Sequence, residues 1–385
     1  MRTGWEVKKA GDIFEMTDFV SNGSFASLRE NVEYLDHPDY AVLVRLADFS
    51  NGFDSSRFVY VSKQSYDYLA KSKLFGGEII MSNVGSVGKS FICPDLGCPM
   101  TIGPNAILIR SENNPFYQYY FLTEEFQKKL LSISSKATLL KFNKTNFKTL
   151  DIPVPSLPEQ QRIVDILDRE FAKIDALKAN AEKSLQAARD LFQATLKKEL
   201  EPKTGWKGLA IPEISENLDY KRVPITKSVR ENGQYPYYGA SGIVDYVADY
   251  IFDEPLLLVS EDGANLLARS TPIAFSIEGK VWVNNHAHVL RFDDSKKQKF
   301  VEYWFAGNDI SSLITGTAQP KFNQKALNSI KIAFPVKEQE MESILNRLDE
   351  MEEKSNALQE NYQKTLTLCD DLKQSLLRKA FNGEL

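Results

Sequence analysis

The chain holds few residues that do chemistry unaided. It has three cysteines and three histidines among 385 residues. Cys93 and Cys98 are separated by four residues, and no second Cys or His pair stands where it would complete a zinc site. Together with Cys369 they read as structural thiols in a reducing compartment. His286 and His288 alternate along the strand-like run "NNHAHVLRF", so they point to opposite faces, which argues against a two-histidine metal site. No paired carboxylates and no Ser-His-Asp set stand out. No apolar run approaches the roughly 18 residues of a membrane span. The start, "MRTGWEVKK", lacks the apolar core of a signal peptide, so a cytoplasmic protein is expected.

Positive charge is not in excess either. The net charge is −5. Residues 336–385 carry 7 basic and 11 acidic groups, so four of the five excess negative charges lie there and the rest is balanced. A basic face is not visible in these counts. Hydrophobic content of 43% and charged content of 26% are those of a globular protein, and the length favours two domains.

One stretch imitates a nucleotide site. "EIIMSNVGSVGKSF" runs from an apolar strand into Gly88-Lys89-Ser90, as a phosphate-binding loop would. That loop needs a glycine five positions before its Gly-Lys pair, and Asn83 stands there. The helix that should follow is replaced by "FICPDLGCPM", whose prolines exclude a helix interior. A Gly-rich hairpin between two strands is the better expectation.

The chain is written twice. "GWEVKKAGDI" at Gly4 returns as "GWKGLAIPEI" at Gly205. Lys141-Phe142-Asn143 returns as Lys321-Phe322-Asn323, 180 positions later. "KIDAL" and "DLFQATLKK" return 181 positions later as "KSNAL" and "DLKQSLLRK". The order is globule, helix, globule, helix, with boundaries at 1–155, 156–200, 201–335 and 336–385.

The two helices carry a heptad pattern. In the second it runs through Ile344, Leu348, Met351, Ser355, Leu358, Tyr362, Thr365, Cys369, Leu372 and Leu376. In the first it runs through Ile163, Leu167, Ile174, Leu177, Ala181, Ala188 and Leu191. Helices of about 40 residues, roughly 60 Å long, need a partner for such a seam. An antiparallel coiled coil of the two copies is expected, with the repeats related by a pseudo-twofold axis.

The globules read as mixed α/β, giving an α+β protein. Strands are expected at "YAVLVRL", "EIIMSNV", "NAILIRS", "PLLLVSE" and "AHVLRF". Each globule also has an aromatic segment of helical spacing, "FYQYYFL" and "FVEYWFA", for which core packing is the simpler role. Aligning "EIIMSNVGSVGKS" with "PLLLVSEDGANLLARS" pairs Ser82 with Ser260 and Gly85 with Gly263 and leaves Gly88-Lys89 without a counterpart. A shared nucleotide site would not survive in one copy only.

In this order and duplication the sequence resembles the specificity subunit of type I restriction-modification systems. The Gly-Trp starts, the Lys-Phe-Asn junctions, Glu159-Gln160 and Glu338-Gln339 at the helix starts, "GTAQPKFN" and the ending "LLRKAFNGEL" carry the resemblance. It implies two target recognition domains, each reading half of a bipartite site in double-stranded DNA. The helices would hold the halves apart and dock two methyltransferase subunits. S-adenosylmethionine, ATP and Mg2+ would belong to those and to restriction/translocase subunits, leaving this chain without cofactor or catalytic residue. Consistent with that, no Pro-Pro-Tyr/Phe loop for a flipped adenine exists here, "NNPF" being the nearest string.

Base and phosphate contacts need Arg, Lys, Asn, Gln, Ser or Thr on exposed loops. The candidates lie in the two hairpins and two junctions. They are Asn83, Ser86, Lys89, Lys141 and Asn143 in the first copy, and Asn265, Arg269, Gln319, Lys321 and Asn323 in the second. For the asparagines a turn-forming role competes. Phe142 and Phe322 are expected to anchor the junctions in the core. A duplicated coiled-coil scaffold that binds no nucleic acid is the rival reading, and the acidic charge fits it.

Overall fold

The computed structural model describes residues 4–136 and 139–385. It divides into two units, Met1–Asn180 with Thr365–Leu385, and Ala181–Lys364.

In the first unit, four antiparallel strands lie in the order Glu15–Asp18, Ala106–Arg110, Ile79–Ser82, Ser90–Ile92. Their apolar runs are nearly continuous because both faces are covered. Ile79, Met81, Ile107 and Ile109 meet the aromatic helix Asn114–Phe121. Ile80, Ala106 and Leu108, on the other face, meet a second sheet that includes Ala41–Val44 and Met100–Ile102. Those two strands pair in parallel. Side chains of this size contribute about 1.5–3 kcal/mol each when fully buried. Asn113 caps the aromatic helix by accepting from Phe116 N at 3.2 Å. Phe116, Tyr117, Tyr120 and Phe121 are buried, so the aromatics are core.

The second unit repeats this design. Its first sheet runs Glu216–Asn217, Ala287–Arg291, Leu256–Ser260, Ala274–Ile277. Leu257, Val259 and Leu290 face the helix Ser295–Gly307, with Phe300, Tyr303 and Phe305 buried beneath them. Leu256, Leu258 and Val289 face the second sheet, again with one parallel pair, Asn232–Gly239 beside Lys280–Val283.

The long helices span Leu157–Glu199 and Glu338–Asn382, 43 and 45 residues, or roughly 65 Å each. Pro202 stands just past the end of the first, where it bars continuation. They pair antiparallel within each unit. In the first, Lys178 bonds Asp370 at 2.7 Å and Asp175 bonds Lys373. In the second, Ser355 Oγ donates to Ala188 O at 3.3 Å and Arg347 bonds Glu199 at 2.6 Å.

The seam differs from the expected heptad in one respect. Ile163, Leu167, Ile174, Ala181, Ala188, Ile344, Leu348, Ser355 and Cys369 are buried. Leu177, Leu191, Leu358 and Leu372 are 51%, 54%, 42% and 48% exposed. Alanine and serine in the seam bring the backbones close, and a leucine does not fit at the same level. A straight helix also drifts about 20° per heptad from a 3.5 repeat.

Equivalent bolts join each aromatic helix to a long helix. Tyr119 donates to Asp168 at 2.6 Å in the first unit. Tyr303 donates to Asp349 at 2.5 Å in the second, and Asp349 lies 181 positions after Asp168. Burial, reinforced by the carboxylates, raises both tyrosine pKa values far above the usual phenol range. Cys93 and Cys369 are buried thiols and Cys98 is exposed. Burial, then Glu78 and Asp95, pushes the Cys93 thiol up to about 12.

Candidate nucleic-acid interface

Gly88-Lys89-Ser90 leads into the strand Ser90–Ile92, not a helix, so the stretch is the hairpin the spacing suggested. The loop closes through Gly88 N to Ser82 O at 3.0 Å and Lys89 N to Ser86 O at 3.1 Å. Gly88 is required twice over. Its φ is +85°, and a Cβ there would strike Gln127 Oε1 and lie 2.9 Å from Leu130 Cδ2. Gln127 Nε2 donates to Gly88 O at 3.2 Å and fixes the loop to the helix Glu124–Ser132.

Each hairpin then meets its Lys-Phe-Asn junction through the same short antiparallel pairing. In the first unit Phe142 N donates to Asn83 O at 3.1 Å, Val84 faces Lys141, and Gly85 N donates to Leu140 O at 2.9 Å. In the second, Phe322 N donates to Glu261 O at 2.7 Å, Asp262 faces Lys321, and Gly263 N donates to Pro320 O at 3.0 Å. Gly85 and Gly263 occupy the same place, with φ of +78° and +107°. Phe142 and Phe322 are 5% and 0% exposed, so the rings anchor the junction while the lysines beside them point out. A strand residue alternates faces with its neighbour, which makes an exposed lysine next to a buried phenylalanine the natural arrangement.

The candidate residues separate by what their side chains already do. Ser86, Lys89, Lys141, Gln319 and Lys321 are exposed. Among the described residues Lys141 and Lys321 have no carboxylate partner. Lys89 Nζ bonds Ser50 Oγ at 2.8 Å and lies 5.6 Å from the centre of the Phe49 ring. Asn83 is half-buried, its backbone held on both sides by Asn105 and Phe142. Asn143 and Asn323 are exposed helix N-caps, accepting from Asn146 N at 2.7 Å and Ala326 N at 3.0 Å. Asn265 is spent on a turn, accepting from Thr271 N and Ser270 Oγ and donating to Thr271 O. Arg269 turns inward and donates to Phe305 O at 2.8 Å and Asn308 O at 2.9 Å, capping the end of the aromatic helix. Burial lowers its pKa from the ordinary arginine value. Asn265 and Arg269 therefore shape the second hairpin from within, where the sequence suggested outward contacts.

Behind the second junction lies a charge network with no sequence signature. His288 is buried, with Nδ1 2.6 Å from Asp219 Oδ2 and Nε2 2.8 Å from Phe322 O. His286, on the opposite face as alternation requires, is half exposed and bonds Asp262 at 2.9 Å. Asp219, Glu261 and His288 offer ligand atoms within 4.8 Å of one another. The Arg222 guanidinium, 2.7 Å from Glu261 and 3.4 Å from Asp219, already supplies positive charge to this group. Burial alone would raise the Asp219 pKa. The His288 bond, the Val289 amide and Arg222 outweigh burial and hold it below the usual carboxylate value.

The family model for the type I restriction modification DNA specificity domain matches residues 2–187 and again 203–368. The chain belongs to this family. As a type I specificity subunit it is the DNA-recognition component of a restriction-modification system, and the reading as a scaffold without DNA binding finds no support. It is 31% identical over 130 residues to a putative type I restriction enzyme specificity subunit, S.HindORF215P, of Haemophilus influenzae, an alignment covering 34% of this chain and 33% of that protein. The StySPI specificity subunit of Salmonella potsdam and the EcoKI specificity subunit of Escherichia coli are each 23% identical, over 90% of this chain and 83% of theirs. A chain from a type I R-M system solved for its complex assembly and conformational transition has the same fold, at a TM-score of 0.73 and 15% identity over 100% of this chain and 99% of that one. The HsdS subunit from Thermoanaerobacter tengcongensis matches at 0.53 and 15% identity, over 100% and 98%. No helix of this specificity subunit is long and apolar enough to cross a membrane.

Proposed function

We propose that each hairpin with its Lys-Phe-Asn junction faces double-stranded DNA, and that the two units read the two halves of one bipartite target. The single observation that carries this is the repeated pairing of hairpin and junction. The same hydrogen bonds present Lys141 and Lys321 to solvent while the hairpin residues beside them differ. A constant frame with variable loops suits one docking mode that reads two different sequences. Lys89, Lys141 and Lys321 act as phosphate contacts. Asn83, Ser86 and Gln319 are placed for base edges or backbone, and the exposed amides of Asn143 and Asn323 for either.

The long helices set the spacing of the half-sites and dock two methyltransferase subunits. The exposed leucines support this: Leu177, Leu368 and Leu372 in the first unit, Leu191 and Leu358 in the second. Methyl transfer to a flipped adenine takes place in those subunits, which hold S-adenosylmethionine. ATP and Mg2+ serve restriction/translocase subunits. The chain itself contributes no catalytic residue and works in the cytoplasm.

Salt dependence tests the reading. Each phosphate contact releases counterions, so in the assembled complex Lys89→Ala, Lys141→Ala and Lys321→Ala should each weaken binding. Each should also flatten the log–log salt slope by about one. Unchanged slopes in all three variants would move the DNA elsewhere. ATP binding by the purified chain that depends on Lys89 would restore the nucleotide reading of Gly88-Lys89-Ser90.

A further inference from the structure

Two buried aspartates occupy equivalent places behind the junctions. Asp18 and Asp219 are 201 positions apart, the separation of the Gly-Trp starts. Each lies at or just beyond the end of the strand that borders the central strand of its first sheet. Their partners differ. Asp18 accepts from Ser21 Oγ at 2.6 Å and from Lys144 Nζ at 2.9 Å, and Lys144 follows directly on Lys141-Phe142-Asn143. Asp219 accepts from His288, which in turn holds Phe322 O. The residue 181 positions before His288 is Ile107, so the first unit has no imidazole at this place.

The His288 contacts fix its charge state. Nδ1 faces a carboxylate and Nε2 faces a carbonyl, and neither acceptor has a proton to give. Both ring nitrogens must therefore carry one, which makes the ring an imidazolium. Its neighbours agree: Asp219 touches it, Glu261 is 3.8 Å away, and Arg222 pairs with both carboxylates. The next titrating group, His286, bonds Asp262.

We propose that Asp18 and Asp219 are positioning residues for the two DNA-facing junctions, and that the link depends on a proton in the second unit alone. This rests on the reading that the junctions face DNA. A neutral His288 keeps one proton. The Asp219 carboxylate retains it on Nδ1, because the charge-assisted bond is the stronger. Nε2 then turns a lone pair on the Phe322 carbonyl, a buried acceptor left unmet beside Lys321. Histidine is the side chain whose charge changes near neutral pH, whereas a lysine such as Lys144 keeps its charge there. The sign follows. Raising the pH removes the imidazolium and loosens the second junction, while the first is untouched.

The test uses the chain assembled with its methyltransferase subunits. Binding is compared between the full target and duplexes with one half-site scrambled, from about pH 6 to about pH 9 at fixed ionic strength. Discrimination at the second unit's half-site should fall by about tenfold as the pH rises, the size of one charge-assisted hydrogen bond. Discrimination at the first unit's half-site should stay flat, and His288→Gln should leave the second half-site low and flat. Equal pH profiles at both half-sites, or a wild-type profile in His288→Gln, would overturn the proposal. A second readout needs neither DNA nor a folded variant. With only three histidines in the chain, nitrogen-15 labelling of histidine in the full-length protein reads each ring directly, and His286→Gln assigns the spectrum. Two protonated nitrogens on His288 at neutral pH support the link, and one bare nitrogen removes it. If neither half-site is discriminated at any pH, the DNA reading of the junctions fails, and the ring nitrogens still decide the link itself.

Discussion

A chain lengthened by four residues in both long helices, between Asn180 and Ala181 and between Lys364 and Thr365, should methylate its two half-sites with a longer spacer. The insertions belong in both helices because each is packed against the other in each unit. Asp175 bonds Lys373, Lys178 bonds Asp370 and Arg189 bonds Gln359, so position 181 on one helix lies level with about 366 on the other. Four residues add about 6 Å of helix and nearly one turn, so the buried stripe is kept as a stutter. At about 3.4 Å per base pair that is one or two base pairs of extra spacer. Inserting two residues instead rotates the seam by about 200° and should abolish assembly. An active four-residue variant with an unchanged spacer would place the ruler in the methyltransferase subunits.

Phe322→Ala should be among the most damaging single substitutions in the second unit. The ring is fully buried, with the centres of Phe305 and His288 6.4 Å and 6.1 Å away. Removing such a ring costs about 3–5 kcal/mol, part of it for the cavity left behind. Its backbone N and O are bonded to Glu261 and His288, so a shift of the residue also disturbs the charge network. Chemical denaturation should give that loss. Hydrogen exchange should quicken first at residues 316–323. A loss below about 1 kcal/mol with unchanged exchange would show that the junction is held by its hydrogen bonds alone.

Much of this architecture is legible in the sequence because its signals are long or doubled. The helices at Leu157–Glu199 and Glu338–Asn382 fall within a few residues of 156–200 and 336–385. Matching Gly85 with Gly263 and Lys141 with Lys321 locates the hairpin–junction pairing, since both partners recur. Asn232–Gly239 and Gly242–Val247 were not expected as strands, because "NGQYPYYGASGIVDYV" reads as turn residues and tyrosines without clean alternation. Leu358 and Leu372 suit a heptad, yet what excludes them is the smallness of the alanines and serine across the seam, which no periodicity measures. Arg269 resembles any exposed loop arginine. Its inward turn depends on φ of +49° and on the two open carbonyls at the end of the aromatic helix, both products of tertiary structure. The His288–Asp219 link joins residues 69 positions apart and has no local pattern at all.

The two-reader account is tested most directly by exchanging one globule. The exchange of residues 1–155 for the matching segment of a related specificity subunit carries over the first hairpin, its junction and the Asp18–Lys144 pair together. It leaves both long helices in place. Methylated adenines would then be mapped across the genome of a host carrying this chain or the exchanged one with the methyltransferase subunits. The account predicts that one half of the methylated motif changes to that of the donor while the other half and the spacer stay as they were. An exchanged protein that folds, assembles and methylates but alters both halves, or neither, would contradict it.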